Sequence, residues 1–273
     1  MSYTTFRAVP AFVRREADGE LFTCTETRAV DDATQEIAGL RSASYPLRLE
    51  WFFSQSEPIV NGRRPRRVVF WQPDEKRSRP RGWLKLPFPS GLRCTGYTDV
   101  GDGKEYWEAW PKESRYARRR WLEHSEYEIR DATLEEFEAG FARAHPSDGL
   151  FSIYSGVLRK KVAQHSGLMR FRCVWHPSSD VPVGGTGVML VPEAKAAVLI
   201  SSFYHRSHAD SCIGTGLIDD WFAQSITVGF QYMDFDLFWA PGDPGSWKGY
   251  SHFKQKFNTT LIRYPHPFFR ILL

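Results

Sequence analysis

The sequence predicts an α+β fold in which helices flank a central mixed sheet. The run Ala196–Tyr204 is predominantly apolar, as expected of a strand at the centre of a sheet. From residue 122 onward the expected elements run strand, helix, helix, three strands, helix, strand, helix, strand. This mixed order is not a repeated strand–helix–strand unit, so it disfavours a doubly wound parallel sheet.

Composition and cysteine usage narrow the class of protein. The chain has 273 residues, of which 42% are hydrophobic and 25% charged, as is ordinary for a globular protein of one large or two small domains. The four cysteines lie far apart without a C-x-x-C pair, so we expect neither a zinc site nor a disulfide framework. This usage fits the reducing cytoplasm. No stretch approaches the ~20 apolar residues that span a bilayer, so we expect no membrane insertion.

The first 121 residues predict short strands joined by connectors rich in proline and arginine. The strands are expected at Leu47–Phe53, Arg67–Gln72 and Gly82–Leu86. Residues 104–121 show a helical pattern. We therefore expect residues 1–121 to form an N-terminal part with basic loops and a linker helix.

The elements of the second half are easier to define. A strand is expected at Tyr127–Arg130, and Thr133 with Glu136 forms the capping box of a helix that ends at His145. A second helix is expected at Leu150–His165. The later elements, in order, are strands at Met169–Trp175, Val183–Val191 and Ala196–Tyr204, a helix at Gly216–Gly229, a strand at Gln231–Phe238, a helix at Trp247–Phe257 and a strand at Thr259–Arg263.

Residues 232–257 carry the most informative motif, YMDFDLFWAPGDPGSWKGYSHFKQKF. A strand with two carboxylates, Asp234 and Asp236, is followed by a loop rich in glycine and proline. A helix with the pattern Gly-x-x-x-Phe-Lys-x-x-Phe comes next, and its central pair is Phe253 and Lys254. This order of parts resembles the last third of the FemAB-like transferases, which are built on the GNAT acyltransferase fold.

The resemblance extends over residues 104–260 and implies both a fold and an activity. It implies a complete GNAT-like acyltransferase domain at residues 122–273, preceded by a shortened, GNAT-like half at residues 1–121. It also implies an enzyme that moves an acyl or aminoacyl group from acyl-CoA or aminoacyl-tRNA to a small-molecule or peptide amine. No permanently bound cofactor is expected.

The carboxylates of the motif suit acyl transfer, in which one group deprotonates the amine and another protonates the leaving group. In GNAT folds the fourth and fifth strands diverge and the acyl carrier lies between them; here these strands would be Ala196–Tyr204 and Gln231–Phe238. Asp234 or Asp236 is then a candidate general base or amine-binding carboxylate, and Tyr204 a candidate general acid. The alternative is that both carboxylates face solvent on one side of a strand.

Lys254 is the strongest single candidate. The resemblance implies that this lysine contacts the acyl carrier and assists transfer, with Phe253 beside it. The alternative is a lysine on the helix surface beside core aromatics.

Gly214 and Gly216 supply a G-x-G at the start of a helix, which suits phosphate binding. Ser211 stands where CoA-dependent GNAT proteins carry Gln or Arg, which weakens the case for CoA.

Further residues concern the substrate and partners. His205, Trp239 and Tyr250 are candidates for binding the substrate. The Arg-rich segments 63–81 and 115–120 predict either a surface that tracks phosphates, as tRNA would require, or a solvated basic face.

Two other classes stay open from the sequence. A catalytically degenerate GNAT-like module would bind RNA or a protein partner, and an α+β scaffold protein would lack a cleft. A metal site at His205, His208 and Asp210 is disfavoured, because three ligand types crowded into one loop usually form a polar loop.

Overall fold

A computed structural model gives the structure of the chain. It describes residues 24–26, 48–53, 57, 67–73, 76–85, 94–101, 105–145, 155, 158–159, 162–163, 165, 167–243, 245 and 247–272. The chain divides into two compact units. The first unit comprises Met1–Thr95, Leu237–Ser251 and Leu261–Leu273, and the second comprises Gly96–Asp236 and His252–Thr260. The expected domain boundary after residue 121 stays a prediction.

A five-stranded sheet is the framework of the first unit. Its strands are β1 (Cys24–Glu26), β2 (Arg48–Phe53), β3 (Arg67–Gln72), β4 (Leu84–Lys85) and β12 (Phe268–Leu272). They lie in the order β1-β2-β3-β12-β4, with β2 and β3 parallel and the other pairs antiparallel. The predictions for β2 and β3 are confirmed. The third expected strand is observed at Leu84–Lys85, and its last expected residue, Leu86, lies outside the described residues. Strand β12 was not predicted.

Aromatic side chains form a core in this unit. Val69, Trp71, Trp83 and Phe268 are buried together, and the Trp71 ring centroid lies 5.7 Å from those of Trp83 and Phe268. The indole N–H of Trp83 donates a hydrogen bond of 2.6 Å to the carboxylate of Glu57. These contacts hold the start of β4 against the rest of the sheet.

A second sheet has seven strands, most of whose residues belong to the second unit. They are β5 (Cys94–Asp99), β6 (Glu128–Asp131), β7 (Met169–Trp175), β8 (Gly184–Val191), β9 (Ala196–Tyr204), β10 (Tyr232–Leu237) and β11 (Thr260–Arg263). Their order is β11-β5-β10-β9-β8-β7-β6. Strands β6 to β9 pair antiparallel, whereas β9 and β10 are parallel. The central place of β9 confirms the prediction from its apolar sequence.

Four α-helices accompany these strands in the described part of the chain: α1 (Lys112–Leu122), α2 (Leu134–Ala144), α3 (Ile213–Thr227) and α4 (Trp247–Gln255). The capping box of α2 is confirmed, since the Glu136 N–H donates to Thr133 Oγ1 at 3.1 Å and the Thr133 N–H donates to Glu136 Oε2 at 2.8 Å. The helix expected at 150–165 lies largely outside the described residues. None of the described helices is long and apolar enough to cross a bilayer.

Neighbouring residues of β8 face opposite sides of the sheet, and each side is packed against a different helix. A methyl group added to Gly184 would lie 3.2 Å from Leu217 of α3. The same group on Gly185 would lie 2.8 Å from Phe203 and 3.1 Å from Phe137 of α2. Successive residues of a strand point to opposite faces, so α3 covers one face of the sheet and α2 the other. Helices on both faces of a mixed sheet confirm the predicted fold class.

Candidate active site

Strands β9 and β10 diverge after a short parallel contact. Their pairing covers only Tyr232–Asp234 and Ala196–Val198. Strand β9 nevertheless continues to Tyr204, and β10 continues to Leu237. The two strands therefore separate beyond Asp234, as the resemblance predicted for the strands that hold the acyl carrier.

The path of β10 changes at Asp236. This residue adopts a left-handed backbone conformation with φ 58°, which is uncommon for residues other than glycine and best tolerated by Asn and Asp. The carboxylate of Asp234 accepts a hydrogen bond of 2.7 Å from the Asp236 N–H, which stabilises the turn. Asp234 is fully buried, whereas Asp236 is half-buried. The alternative that both carboxylates face solvent is therefore wrong for Asp234, and regular strand alternation does not continue through Asp236.

Lys254 reaches the same turn from α4. Its ammonium donates a hydrogen bond to the carbonyl oxygen of Phe235, which lies between the two aspartates. The Lys254 side chain is 1% exposed, so the alternative of a surface lysine is wrong. Phe235 is itself buried, with its ring centroid 5.0 Å from Trp221 of α3 and 5.8 Å from Phe257. A buried ammonium needs such a polar partner, because it has lost its hydration.

A second group of predicted residues meets where β9 ends and α3 begins. A methyl group on Gly214 would lie 3.3 Å from the Phe253 ring and 3.6 Å from the Tyr204 ring. Tyr204 is 43% exposed at the end of β9. The structure thus brings Tyr204, Gly214 and Phe253 together, although they come from three separate segments.

The second glycine of the G-x-G has a packing role. A methyl group on Gly216 would lie 2.2 Å from the Trp121 ring, so the absence of a side chain lets α1 approach α3 closely. The Gly216 N–H already donates to the carbonyl of Cys212 at 3.1 Å within the first turn of α3. Of the two glycines, only Gly214 therefore remains suited to contact a carrier.

His205 follows Tyr204 at the end of β9. Its backbone N–H donates to the carbonyl of Val183 at 2.8 Å, and its imidazole is half-buried. Burial lowers the pKa of this imidazole, which favours the neutral form.

A neighbouring ring cluster was missed by sequence reasoning. The Tyr127 hydroxyl and His208 Nδ1 are 2.9 Å apart, and the ring centroids of His176 and His208 are 5.2 Å apart. Burial, followed by the nearby His176, lowers the pKa of His208. Because these residues come from three distant segments, no local pattern in the sequence indicates the cluster.

Trp239 and Tyr250 belong to the first unit. The Trp239 indole N–H donates to the carbonyl of Asp243 at 3.0 Å, and its backbone N–H donates to Ser251 Oγ at 2.6 Å. The ammonium of Lys248 lies 4.6 Å from the centre of the Trp239 ring. Tyr250 is 43% exposed. The indole N–H of Trp239 thus stabilises its own loop, and the ring face is occupied by a cation.

The Arg-rich helix α1 is partly structural. Arg118 Nε is 2.6 Å from Asp219 Oδ1, and its guanidinium lies 4.2 Å from the Trp107 ring centre. The Tyr106 hydroxyl also donates to Asp219, at 2.7 Å, and burial followed by the nearby Asp219 raises the pKa of that hydroxyl. Arg118 is therefore committed to an internal ion pair. Residues 63–66 of the other Arg-rich segment lie outside the described residues.

Comparisons with known proteins identify the fold. No protein-family model matches the chain, and no curated protein does. The solved structure of FemX is similar at 11% identity with a TM-score of 0.63, covering 100% of this chain and 96% of FemX. L-PGS from Bacillus licheniformis is 11% identical with a TM-score of 0.48, covering 74% of this chain and 68% of that protein. A tandem GNAT protein from the clavulanic acid biosynthesis pathway is 11% identical with a TM-score of 0.45, covering 76% and 64%.

The class of fold follows from FemX, whose likeness extends over the whole chain. The protein has the fold of FemX, in agreement with the resemblance of the motif at residues 232–257 to the FemAB-like transferases. At 11% identity this similarity concerns the fold alone.

Proposed function

We propose that this protein is an N-acyltransferase that moves an acyl or aminoacyl group from a carrier to an amine, in the cytoplasm. The observation that carries the proposal is the divergence of β9 and β10 beyond Asp234, with two carboxylates and a buried lysine at the opening. A carrier placed between the strands would present its carbonyl close to these groups.

The carboxylates would serve the amine. In the proposed reaction the Asp236 carboxylate takes a proton from the amine, whose nitrogen lone pair attacks the carbonyl carbon of the carrier. Asp234 holds the left-handed turn of Asp236 through the hydrogen bond between its carboxylate and the Asp236 N–H. We therefore assign a direct role to Asp236 and a positioning role to Asp234.

The leaving group would take its proton from Tyr204. As the tetrahedral intermediate collapses, the bond from the carbonyl carbon to the carrier sulfur or oxygen breaks, and Tyr204 donates its hydroxyl proton to that atom. The exposure of Tyr204 at the end of β9 supports this role. Lys254 would neutralise charge on the developing oxyanion or on the carrier phosphates, because a buried ammonium offers three hydrogen-bond donors.

We also propose which residues contact the carrier and the acceptor. Gly214 and Phe253 would contact the carrier, and His205, Trp239 and Tyr250 the acceptor, a small-molecule or peptide amine. The carrier would be acyl-CoA or aminoacyl-tRNA, neither of which is a permanently bound cofactor. The tRNA would contact the Arg-rich segments 63–81 and 115–120, apart from Arg118.

A ligand titration tests the proposal first. The thermal unfolding of the purified protein is measured with acetyl-CoA, with longer acyl-CoAs, with free CoA and with aminoacyl-tRNA. Deacylated tRNA is the control for aminoacyl-tRNA. A ligand at a hundred times its Kd should add about 2.7 kcal/mol of stability. The expected result is a saturable rise with one donor class, followed by transfer to an amine that Asp236→Asn abolishes. Binding without transfer, unchanged by Asp236→Asn, would instead support a degenerate module that binds RNA or protein.

A further inference from the structure

The first unit contains a cleft of 720 Å³ beside its edge strand β4. Its lining residues are Arg77, Ser78, Arg79, Leu84, Lys85 and Phe269. A volume of this size lies within the range of about 300–1,000 Å³ that is typical of small-molecule sites. None of the reacting groups proposed above lies in this cleft, and only a tRNA carrier would contact Arg77 and Arg79, as part of the segment 63–81.

The charged side chains that line the cleft are all positive among the described residues. They are Arg77, Arg79 and Lys85, each of which is exposed. Among the described residues, none forms a hydrogen bond or an ion pair with these three side chains. By contrast, Arg118 and Arg172 pair with aspartates at 2.6 and 2.7 Å. The cleft therefore concentrates cationic donors that structural ion pairs do not use.

Apolar side chains line the same cleft. Leu84 of β4 pairs with Phe269 of β12 across the sheet. Leu84 is 49% exposed and Phe269 is half-buried, so both present apolar surface to the cleft. The hydroxyl of Ser78 adds one neutral donor between the two arginines.

We propose that this cleft binds a small phosphate ester, with its phosphate on Arg77, Arg79 and Lys85 and its organic part on Leu84 and Phe269. Guanidinium groups bind phosphate oxygens through paired, charge-assisted hydrogen bonds, and lysine adds a point charge. The apolar pair distinguishes an ester from free phosphate, because inorganic phosphate has no group to bury there. A polymer such as RNA would instead need cations that continue beyond the cleft.

The test uses the full chain and phenyl phosphate, with inorganic phosphate and phenol for comparison. Calorimetric titration should show phenyl phosphate binding more tightly than either fragment. The double variant Arg77→Gln/Arg79→Gln should weaken binding by about tenfold or more, since hydrogen bonds to charged groups are lost. The matched control is Lys76→Gln/Arg81→Gln, which removes the same charge from exposed residues outside the cleft and should change the Kd less than twofold.

Further experiments distinguish a lipid headgroup from a free metabolite and check that the variants are folded. If the protein binds phosphatidylglycerol vesicles but not phosphatidylcholine vesicles, and if this binding requires Arg77 and Arg79, the ligand is a lipid headgroup. Binding of the soluble ester alone would identify a free metabolite. Circular dichroism checks that each variant is folded, and Leu84→Ser, at an exposed position of β4, should reduce the preference for phenyl phosphate over phosphate. Equal losses in both double variants, or binding only to an RNA oligonucleotide, would overturn the proposal.

Discussion

The ammonium of Lys254 donates its hydrogen bond to the carbonyl oxygen of Phe235, the residue between Asp234 and Asp236. One contact therefore ties α4 to the turn at which β10 leaves β9. A single side chain supports the backbone of the proposed site and also stands close to its carboxylates. Stability and transfer should consequently respond together when this lysine changes.

Lys254→Met should lower both stability and transfer. The methionine fills similar space but leaves the buried Phe235 carbonyl without its donor, which costs about 1–2 kcal/mol. The value of kcat/KM should fall by about a hundredfold, as expected when a charge that stabilises the transition state is lost. Urea unfolding and a transfer assay measure the two effects.

Lys256→Met is the control for that experiment, because Lys256 is exposed at the end of α4. Its stability should change by less than about 0.5 kcal/mol and its transfer rate should not change. If Lys254→Met behaved like this control, the contact with Phe235 would have no energetic weight.

Asp236→Gly should separate catalysis from folding. Glycine adopts the left-handed conformation at φ 58° without steric cost, so stability should stay equal or rise by up to about 1 kcal/mol. Transfer should nevertheless fall by about a hundredfold or more, because the proposed base is gone. Lys195→Gly is the control, because Lys195 also has a left-handed conformation, with φ 48°, and is exposed. Its replacement should leave transfer intact. Full activity in Asp236→Gly would remove Asp236 from the mechanism.

Gly216→Ala should destabilise the second unit. The added methyl group would meet the Trp121 ring at 2.2 Å, and overpacking of this kind costs about 1–3 kcal/mol. Gly249→Ala in α4 is the comparison, because the new methyl group would have no neighbour within 4 Å among the described residues. That variant should be neutral or slightly stabilised, as alanine favours helix more than glycine does. Similar stabilities of the two variants would contradict close packing of α1 on α3.

The stability of the protein should decrease as pH falls through the range where histidines titrate. The pKa of His208 is lowered in the folded protein, so the unfolded chain binds more protons below the ordinary histidine pKa of about 6.5. The contribution of His208 is therefore complete above that pH and is lost as the solution becomes more acidic. Denaturant midpoints at acidic and neutral pH measure this loss.

His208→Gln should reduce the difference between the two midpoints, whereas His252→Gln, at an exposed position of α4, should leave it unchanged. An unaltered pH dependence in His208→Gln would show that the ring cluster with Tyr127 and His176 does not couple protonation to folding.

Local sequence patterns were sufficient for the parts of the fold that local interactions determine. The capping box of Thr133 and Glu136 satisfies backbone groups within one turn, so its residue types are visible in sequence. The apolar run of β9 likewise reflects burial on both faces. The motif around Lys254 located the candidate site without defining its geometry.

The remaining features depend on contacts between distant segments. Alternation along β10 carries no information about the left-handed turn at Asp236, which the carboxylate of Asp234 stabilises. The pairing of Arg118 with Asp219 joins positions 101 residues apart, so the Arg-rich segment looked uniformly exposed. Strand β12 pairs with β3 from a distant part of the sequence, so no local pattern indicates this pairing.

The position of β12 has a consequence for biosynthesis. Strands β3 and β4 follow each other in sequence, yet β12 lies between them in the sheet. A ribosome makes the N-terminal strands first, so β3 emerges with one edge uncovered and β4 without its neighbour. Only when residues 268–272 have been translated can the five-stranded sheet close. The sheet of the first unit therefore stays incomplete until residues 268–272 have been made, and its β3 edge needs protection from other chains in the interval.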